Sequence, residues 1–498
     1  MTAEDIVNLA LRRSLFFPAS EIYSNSPSGF WDFGPIGTKM RFKVLDFWRK
    51  NLVESLGFLE IHGAQILSED VFRASGHLSN FADPIVKCKK CQTVFRADQL
   101  IQEHIGSTVA ESLSTPELDS LIQKHQVPCK KCKSKEFENV RKFNMMMGID
   151  VGATGQQKGY LRPETAQNIF VDFARVFKTS RKNLPLGIAQ VGASFRNEIA
   201  PRNTLLRERE LGQMEIEVFF NPKKINEVSD FGLVQDYKLN LLLQGKKEVS
   251  SISCKESVEK NIVSGKLIAF YLAKVQQVYS GYGFPSDKIR FRELDKDERA
   301  FYAKETWDFE VKTSHGWIEL IANNYRTDYD LGRHAEGSKQ DLSVTEDGEK
   351  FIPHVFEISA GIDRTLYCLL DTTFIREKRG QGERVILNLP VQVAPYLCAV
   401  FPLMTKDGLQ EKGKEIFQNL LGYHLDVLLD EKDAIGRRYA RIEEIGVPFA
   451  VTVDYDTLQD QTVTLRYSKT TEQKRVKIAD LPELLWKLSI GKTTFETI

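Results

Sequence analysis

The stretch Phe195-Arg-Asn-Glu-Ile-Ala-Pro-Arg202, continued by Leu206-Arg-Glu-Arg-Glu210, lies where two segments that we predict to be extended, residues 186–197 and 214–220, approach each other. Charges at strand ends cost free energy unless they are paired or bind a ligand. So many charges between two extended segments therefore indicate a polar site at this point of the fold.

Three further segments have the same character: Leu-Arg-Pro-Glu-Thr-Ala-Gln at 161–167, Trp-Ile-Glu-Leu at 317–320 and Glu-Ile-Ser-Ala-Gly-Ile-Asp-Arg at 357–364. Taken singly, each is explained by surface ion pairs worth about 0–1 kcal/mol. Taken together, the arginines are suited to binding phosphate groups, and the carboxylates are suited to binding an amine or Mg²⁺. The four segments predict a site that joins a nucleoside triphosphate to an amino compound.

The composition is that of an ordinary globular protein. At 498 residues, the chain has room for about three domains. It has 42% hydrophobic and 27% charged residues, which excludes a disordered chain, a disulfide-dense mini-protein and a low-complexity fibre. Lys+Arg and Asp+Glu are both 68, so the net charge is zero. A neutral total still permits a basic face that binds nucleic acid.

The N-terminal residues do not resemble a secretory signal, because Arg12 and Arg13 interrupt the apolar stretch. Thr2 and Asp5 predict a capping box that opens a helix instead. No window approaches the roughly 20 apolar residues of a membrane span. We therefore expect a cytoplasmic protein with reduced cysteines.

The four cysteines of the segment 85–142 form two Cys-x2-Cys pairs, Cys88 with Cys91 and Cys129 with Cys132. Four thiolates complete a tetrahedral zinc site and leave no position for water, so the predicted role of the zinc is structural. The alternative is four reduced surface cysteines without a metal.

The remaining segments differ in pattern. Residues 222–300 are rich in lysine and glutamate and are predicted to be mostly helical. From 384 onward, strand and helix patterns alternate, beginning with a strand at 385–389, which predicts a small α/β domain with a largely parallel sheet.

Several segments of the sequence resemble the signature motifs of a known enzyme class. Residues 32–37 with the helix that follows resemble motif 1 of the class II aminoacyl-tRNA synthetases, the dimer motif; residues 195–220 resemble motif 2 and residues 354–370 resemble motif 3. The string Arg162-Pro-Glu-Thr-Ala-Gln167 is typical of the homodimeric glycyl-tRNA synthetase family within that class. The resemblance covers almost the whole chain except parts of 222–300.

The resemblance implies an α+β fold: a catalytic domain with an antiparallel sheet flanked by helices, a zinc-bearing insertion and a C-terminal α/β anticodon-binding domain. The implied division is 1–84 with motif 1, 85–142 as the zinc-knuckle insertion, 143–221 with motif 2, 222–300 as a mostly helical insertion, 301–378 with motif 3, and 384–498 for the anticodon.

The implied activity is that of a glycine-tRNA ligase, which activates glycine with ATP and Mg²⁺ and transfers glycyl to the 3′ end of tRNA(Gly). Arg196, Glu319 and Arg364 are the implied catalytic residues, with Glu319 holding Mg²⁺. The implied ATP-binding residues are Arg196, Asn197, Glu198, Leu206, Arg207, Leu211, Glu319, Leu320, Gly361 and Arg364. The implied glycine-binding residues are Arg96, Glu164, Glu215, Glu357 and Ser359.

Two positions depart from the family pattern. Leu211 stands where the family offers an aromatic residue under adenine, so ATP stacking is expected to be weaker. Ile358 stands where the family has proline. The resemblance also implies anticodon contacts, for which the candidates are Arg437, Arg438, Arg441 and Arg466.

Two other functions remain open on the sequence alone. One is a catalytically inactive, synthetase-like binding module, and it is disfavoured by the presence of all the active-site charges. The other is a synthetase for serine, proline or threonine, which the Arg-Pro-Glu-Thr string disfavours.

Overall fold

The computed structural model describes residues 2–106, 113–201, 203–296, 298–379 and 382–498, with the side chain of Arg379 left out. Its α-helices are α1 (Ala3–Arg13), α2 (Pro35–Trp48), α3 (Glu69–Ala74), α4 (His77–Asn80), α5 (Ala97–Ile105), α6 (Thr115–Lys124), α7 (Ala166–Ser180), α8 (Cys254–Glu259), α9 (Lys266–Gly281), α10 (Tyr329–Ser338), α11 (Ile362–Thr373), α12 (Leu409–Gly422), α13 (Ile435–Glu444), α14 (Tyr455–Asp460) and α15 (Leu481–Ser489).

Its strands are β1 (Phe16–Pro18), β2 (Trp31–Phe33), β3 (Leu59–Ile61), β4 (Ile66–Ser68), β5 (Ala82–Lys87), β6 (Val94–Arg96), β7 (Arg141–Asn144), β8 (Met147–Val151), β9 (Gln157–Leu161), β10 (Leu186–Phe195), β11 (Glu210–Phe220), β12 (Lys238–Leu242), β13 (Ser250–Ser253), β14 (Ile289–Glu293), β15 (Glu305–Thr313), β16 (Gly316–Thr327), β17 (Val344–Glu346), β18 (Glu349–Phe351), β19 (His354–Gly361), β20 (Phe374–Arg379), β21 (Gly382–Leu387), β22 (Cys398–Pro402), β23 (Val427–Leu429), β24 (Phe449–Val453), β25 (Thr462–Tyr467) and β26 (Gln473–Lys477).

A nine-stranded sheet forms the centre of the molecule, in the order β13-β12-β14-β15-β16-β19-β11-β10-β3. Its middle strands are antiparallel; β3 with β10 and β12 with β14 are the parallel pairs. The helices α2, α9 and α11 contribute Trp48, Tyr279 and Leu370 to the apolar core on one face of this sheet. The antiparallel sheet flanked by helices confirms the predicted fold class.

The alternation of side chains along β11 separates the core from the polar face. Met214, Ile216 and Val218 are fully buried in the apolar core. Because successive side chains of a strand point to opposite faces, Glu215 and Glu217 share the other face. The strand that looks densely charged in the sequence therefore has one core face and one acidic face.

The segment 222–300 differs from the prediction of a mostly helical insertion. It contains α8 and α9, but also β12, β13 and β14, which extend the central sheet at one edge. The residues Lys238-Leu-Asn-Leu-Leu242 alternate polar and apolar side chains, with Leu239 and Leu241 buried. This alternation is the pattern of a half-buried strand. The high lysine and glutamate content of the segment instead favoured the prediction of helices.

The C-terminal domain contains a five-stranded sheet in the order β23-β22-β24-β25-β26, in which the first three strands are parallel and the last two antiparallel. The predicted strand at 385–389 is present as far as Leu387, in β21, but β21 pairs with β20 in a separate hairpin, and β22 is the first strand along the chain to join the five-stranded sheet. No helix in the described part of the chain is long and apolar enough to cross a membrane.

Candidate active site

A cavity of about 880 Å³ opens on the polar face of the central sheet, between β11, β16, β19 and α5. It gathers residues from all four charged segments of the sequence and from the cysteine-bearing insertion. The site residues expected from the sequence that line it are Arg96, Glu164, Arg196, Glu198, Leu206, Arg207, Leu211, Glu215, Glu319, Leu320, Glu357, Ser359, Gly361 and Arg364. Asn197 is not among the lining residues, and its backbone amide donates to the Met145 carbonyl at 2.8 Å.

One wall of the cavity is acidic, and Glu164 stands at its edge just before α7. Its Oε1 accepts a hydrogen bond of 2.8 Å from Gln167 and lies 3.6 Å from His77 Nε2 and 3.9 Å from Arg326 Nη2. Burial raises the pKa of Glu164, but His77 and Arg326 outweigh burial and hold the pKa below its ordinary value. We conclude that Glu164 is ionised at neutral pH.

Glu215 lies deeper in the same wall, held by two hydroxyl groups. Ser359 Oγ donates to its Oε1 at 2.5 Å, and the Thr165 hydroxyl donates to its Oε2. Burial, and then the charge of Glu164, raise the pKa of Glu215. A cation that enters the cavity relieves this repulsion, so the wall favours an ammonium group.

Glu357 completes the wall from β19. Its Oε2 accepts from Asn324 Nδ2 at 2.5 Å and its Oε1 from Arg326 Nη1 at 3.0 Å. Burial raises its pKa to about 7, against the opposing charge of Arg326 and with the repulsion of Glu164 and Glu215. Ile358 next to it, in place of the family's proline, pairs with Ile216 in an uninterrupted strand.

Two arginines supply positive charge to the same cavity. The Arg196 guanidinium donates to the Pro163 carbonyl at 3.1 Å and lies 5.6 Å from the Phe81 ring. Arg364 donates to the carbonyls of Glu319 and Leu206, at 2.9 and 3.2 Å, and its Nη1 lies 3.9 Å from Glu319 Oε1. Both guanidinium groups are suited to phosphate, since Arg196 forms no ion pair with the described carboxylates and the contact of Arg364 with Glu319 is long.

Glu198 and Arg207, for which the resemblance implies separate roles on adenine and phosphate, form an ion pair of 2.7 Å with each other. Arg207 also lies 3.7 Å from Asp83 of β5. Arg96, from the adjacent strand β6, lies 3.3 Å from the same Asp83 and pairs with Asp98. The insertion thus contacts the motif 2 loop through charged groups, and Arg207 engages Glu198 through its Nε.

A second acidic cluster lies beside Glu319, which pairs across the sheet with Glu310. Asp308 is buried, and burial followed by the charge of Glu319 raises its pKa to about 8. Arg290 lies 2.7 Å from Glu310, and Arg292 lies 3.2 Å from Glu310 and 3.6 Å from Asp308, so arginines already neutralise part of this cluster. Asp308 and Glu319 both line the cavity, which leaves Glu319, with Asp308 beside it, as the carboxylates that could meet Mg²⁺ there.

Arg326 is the largest omission from the sequence reasoning. Its side chain is entirely buried and pairs with Asp330 and Glu357. Both Arg326 and Asp330 belong to the segment Arg326-Thr-Asp-Tyr-Asp330, whose density of charge resembles that of the four segments singled out above. This density of charge is the sequence feature from which Arg326 could have been identified as a site residue.

The two cysteine pairs converge as predicted. Cys88 Sγ lies 3.5 Å from Cys132 Sγ, and Cys91 Sγ lies 3.6 Å from Cys129 Sγ. All four sulfurs lie within 4.8 Å of one another. Four thiolates bound to one tetrahedral zinc at about 2.3 Å are about 3.8 Å apart. The residues present therefore fit a closed zinc site, which could be filled without rearrangement of the backbone.

The anticodon candidates are mostly engaged within the C-terminal domain. Arg438 is buried and donates to the carbonyls of Pro402 and Asp430. Arg466 is buried and pairs with Glu443 at 2.8 Å. The prediction of anticodon contacts is therefore wrong for Arg438 and Arg466, because the fold of the domain uses their guanidinium groups.

Comparisons with known proteins agree with this geometry. Residues 151–373 match the family model of the tRNA synthetase class II core domain (G, H, P, S and T), and residues 397–488 match that of the anticodon binding domain. A glycine–tRNA ligase of Thermococcus gammatolerans is 37% identical over 572 aligned positions that cover 98% of this chain and 99% of the relative.

Two further relatives give the same result. A glycine–tRNA ligase of Methanocaldococcus jannaschii is 37% identical, covering 97% of this chain and 98% of the relative. One of Thermococcus sibiricus is 36% identical, covering 98% and 99%. With similarity along nearly its whole length and a class II core that holds the cavity, the chain belongs to the glycine–tRNA ligase family of class II aminoacyl-tRNA synthetases.

Proposed function

We propose that this protein activates glycine with ATP, releasing pyrophosphate, and transfers the glycyl group from glycyl-adenylate to the 3′-terminal ribose of tRNA(Gly). The observation that carries the proposal is the convergence of Glu164, Glu215 and Glu357 with Arg196 and Arg364 on one cavity. Carboxylates and guanidinium groups line the same cavity. A zwitterionic amino acid and a triphosphate need this combination.

In the activation step, a glycine carboxylate oxygen attacks the α-phosphorus of ATP, and the bond to the pyrophosphate oxygen breaks. The chemistry needs no nucleophile from the enzyme, so catalysis rests on positioning and charge stabilisation. Arg196 holds the α-phosphate and the glycine carboxylate, since a guanidinium can donate to both. Arg364 holds the distal phosphates, and Glu319 would hold a Mg²⁺ ion, which would supply positive charge to those phosphates.

Recognition of glycine follows from the acidic wall. Glycine has no side chain to bind, so the site must instead reject larger amino acids. Glu164, Glu215 and Glu357 hold the ammonium group, and Ser359 fixes Glu215. A single methyl group in an apolar pocket contributes only about 1–3 kcal/mol to discrimination. A rigid, hydrogen-bonded polar wall leaves no space for it and rejects alanine more strongly.

Partners and location complete the proposal. The C-terminal domain contacts the tRNA anticodon, with Arg437 as the exposed candidate, 80% accessible at its side chain. We propose a homodimer through α2, on which Phe42 is 56% exposed. The cysteines are unpaired in the described structure, which fits the reducing cytoplasm.

The test of the proposed function is an ATP–pyrophosphate exchange assay with glycine, alanine, serine and proline, followed by charging of bulk tRNA. We expect exchange and charging with glycine alone. Exchange with none of the amino acids would instead support the inactive binding module, and exchange with serine or proline would support another specificity.

We propose that the four cysteines bind structural zinc and thereby position Arg96, since Cys88 and Cys91 lie in the turn between β5 and β6. Replacing Cys129 by serine is expected to remove zinc, lower the thermal midpoint and reduce glycine-dependent exchange by about tenfold or more. The control is Cys254→Ser, because Cys254 is buried in the core far along the chain from both knuckles. Purified protein without zinc, or normal exchange in Cys129→Ser, would contradict the assignment.

A further inference from the structure

Arg326 lies at the base of the acidic wall because of an irregularity in β16. Tyr325 pairs with Phe356 of β19, and Thr327 pairs with the next residue, Val355, so Arg326 is an extra residue that faces no partner on β19. A bulge of this kind bends the strand and re-aims a side chain. Here the re-aimed side chain is a guanidinium that is 0% exposed.

The guanidinium of Arg326 is fixed on every side. Its Nε and Nη2 donate to the two oxygens of Asp330 at 2.6 and 2.7 Å, and its Nη1 donates to Glu357 at 3.0 Å. The Tyr302 ring covers one face, with its centroid 3.8 Å from the guanidinium carbon, and the Phe170 centroid lies at 5.0 Å. A group held by two carboxylates and two rings has one orientation.

Carboxylates outnumber cations around Arg326. Glu164, Glu215, Glu357 and Asp330 are all within this buried group; Arg326 pairs with three of them, and His77 lies 3.6 Å from Glu164. Unpaired charges of this kind are costly in the interior of a protein. A further cation, such as a substrate ammonium, stabilises the ionised forms of Glu215 and Glu357, whose pKa values are raised by burial and by the neighbouring carboxylates.

Glu217 supports the same conclusion. It is fully buried, pairs across the sheet with Glu357, and neither of its oxygens has a hydrogen-bond partner among the described residues. Burial, and then the charge of Glu357, raise the pKa of Glu217 well above its ordinary value. This shift favours the neutral form of Glu217. A neutral Glu217 does not compete for the positive charge of Arg326 with the carboxylates that line the cavity.

We propose that Arg326 is a positioning residue for the substrate amine: with its fork anchored on Asp330, its Nη1 holds Glu357, and its charge 3.9 Å from Glu164 attracts that carboxylate, in the orientation in which the two glutamates bind the glycine ammonium. The inference rests on the proposed function and adds a specific residue to it. Arg326 itself does not line the cavity, so it acts through the two glutamates.

The alternative is that Arg326 is only a buried structural ion pair, and the Michaelis constants separate the two roles. A structural role lowers stability and affects both substrates alike. A positioning role raises the KM for glycine and leaves the KM for ATP, which binds at the arginine side, nearly unchanged.

The experiment measures ATP–pyrophosphate exchange with Arg326→Lys and Arg326→Gln. Lysine keeps the charge but loses the planar fork, and we expect the KM for glycine to rise about tenfold, with the KM for ATP and kcat within about twofold. Glutamine loses the charge as well, and we expect a rise of about 100-fold.

The pH dependence gives a readout that a structural role does not move. Removing the charge of Arg326 raises the pKa of Glu357 above its present value of about 7, so in Arg326→Gln a higher pH is needed to ionise the wall. Raising the pH from 7 to 8.5 should therefore lower the KM for glycine more in this variant than in the wild type. The titratable and charged groups that face Glu357 are Glu215 and Glu217 of β11, Arg326 of β16, Asp330 of α10, Tyr302 and Glu164.

The matched control is Tyr282→Phe, which removes a buried hydrogen bond of 2.6 Å to the Val44 carbonyl outside the cavity. It should lower the thermal midpoint and leave both KM values unchanged.

If Arg326→Gln does not fold, Arg326→Lys and Asp330→Asn, which frees one side of the fork, carry the test. An unchanged KM for glycine in the folded variants, or an equal rise in the KM for ATP, would overturn the inference. A wild-type protein without glycine-dependent exchange would refute the proposed function instead.

Discussion

Replacing Arg196 by alanine is expected to lower kcat for glycyl-adenylate formation by about 10²–10³-fold, the usual effect of removing one donor to a developing negative charge. In the pentavalent transition state, charge grows on the α-phosphate oxygens, and a fixed guanidinium stabilises them more than it stabilises the ground state. The hydrogen bond to the Pro163 carbonyl holds Arg196 at the cavity wall. Pyrophosphate exchange at saturating glycine and ATP measures the effect.

Two further variants make this result specific. Arg196→Lys should recover part of the rate, because a lysine supplies the charge but not the second donor. Arg73→Ala serves as the control: Arg73 is 62% exposed at its side chain and, within the described part of the chain, forms ion pairs with Glu69 and Asp70 of its own helix, so exchange should be unchanged. Exchange by Arg196→Ala within about threefold of the wild type would contradict the assigned role.

The sequence predicted the part of the site that depends on local pattern. The family resemblance implied Glu215, and its position opposite the core agrees with the strand alternation of the residues Met214-Glu-Ile-Glu-Val218. Arg196, Glu164 and Glu357 lie in short, charge-dense strings. Such strings are recognisable because charge at strand ends is costly without a ligand.

The parts that the sequence reasoning missed depend on contacts between distant segments. Arg326 reaches the wall through a bulge, and a bulge is a register shift between two strands that a single sequence does not reveal. The strand Lys238–Leu242 joins the central sheet only because β14, about 50 residues later, pairs with it. Arg438 resembles a surface arginine of an amphipathic helix, yet the carbonyls of Pro402 and Leu403 engage it.

Replacing Glu164 by glutamine is expected to raise the KM for glycine by about 100-fold, as expected when one partner of a buried charge pair is neutralised. Glutamine preserves the shape of the side chain and can still accept the hydrogen bond from Gln167. What it removes is the negative charge that faces the ammonium and His77. The KM for ATP should stay within about twofold of the wild type, because in the proposed mechanism arginines, and not Glu164, bind the phosphates.

The control for this variant is Glu60→Gln, the same substitution on β3, where Glu60 pairs with Arg49 on the surface. It should leave the KM for glycine unchanged. A second readout is alanine: since the shape of the wall excludes a methyl group and glutamine keeps that shape, Glu164→Gln should lose activity with glycine without gaining it with alanine. Near-normal exchange with glycine in Glu164→Gln would show that the ammonium binds elsewhere, and gained exchange with alanine would show that the charge of Glu164, rather than its shape, excludes the methyl group.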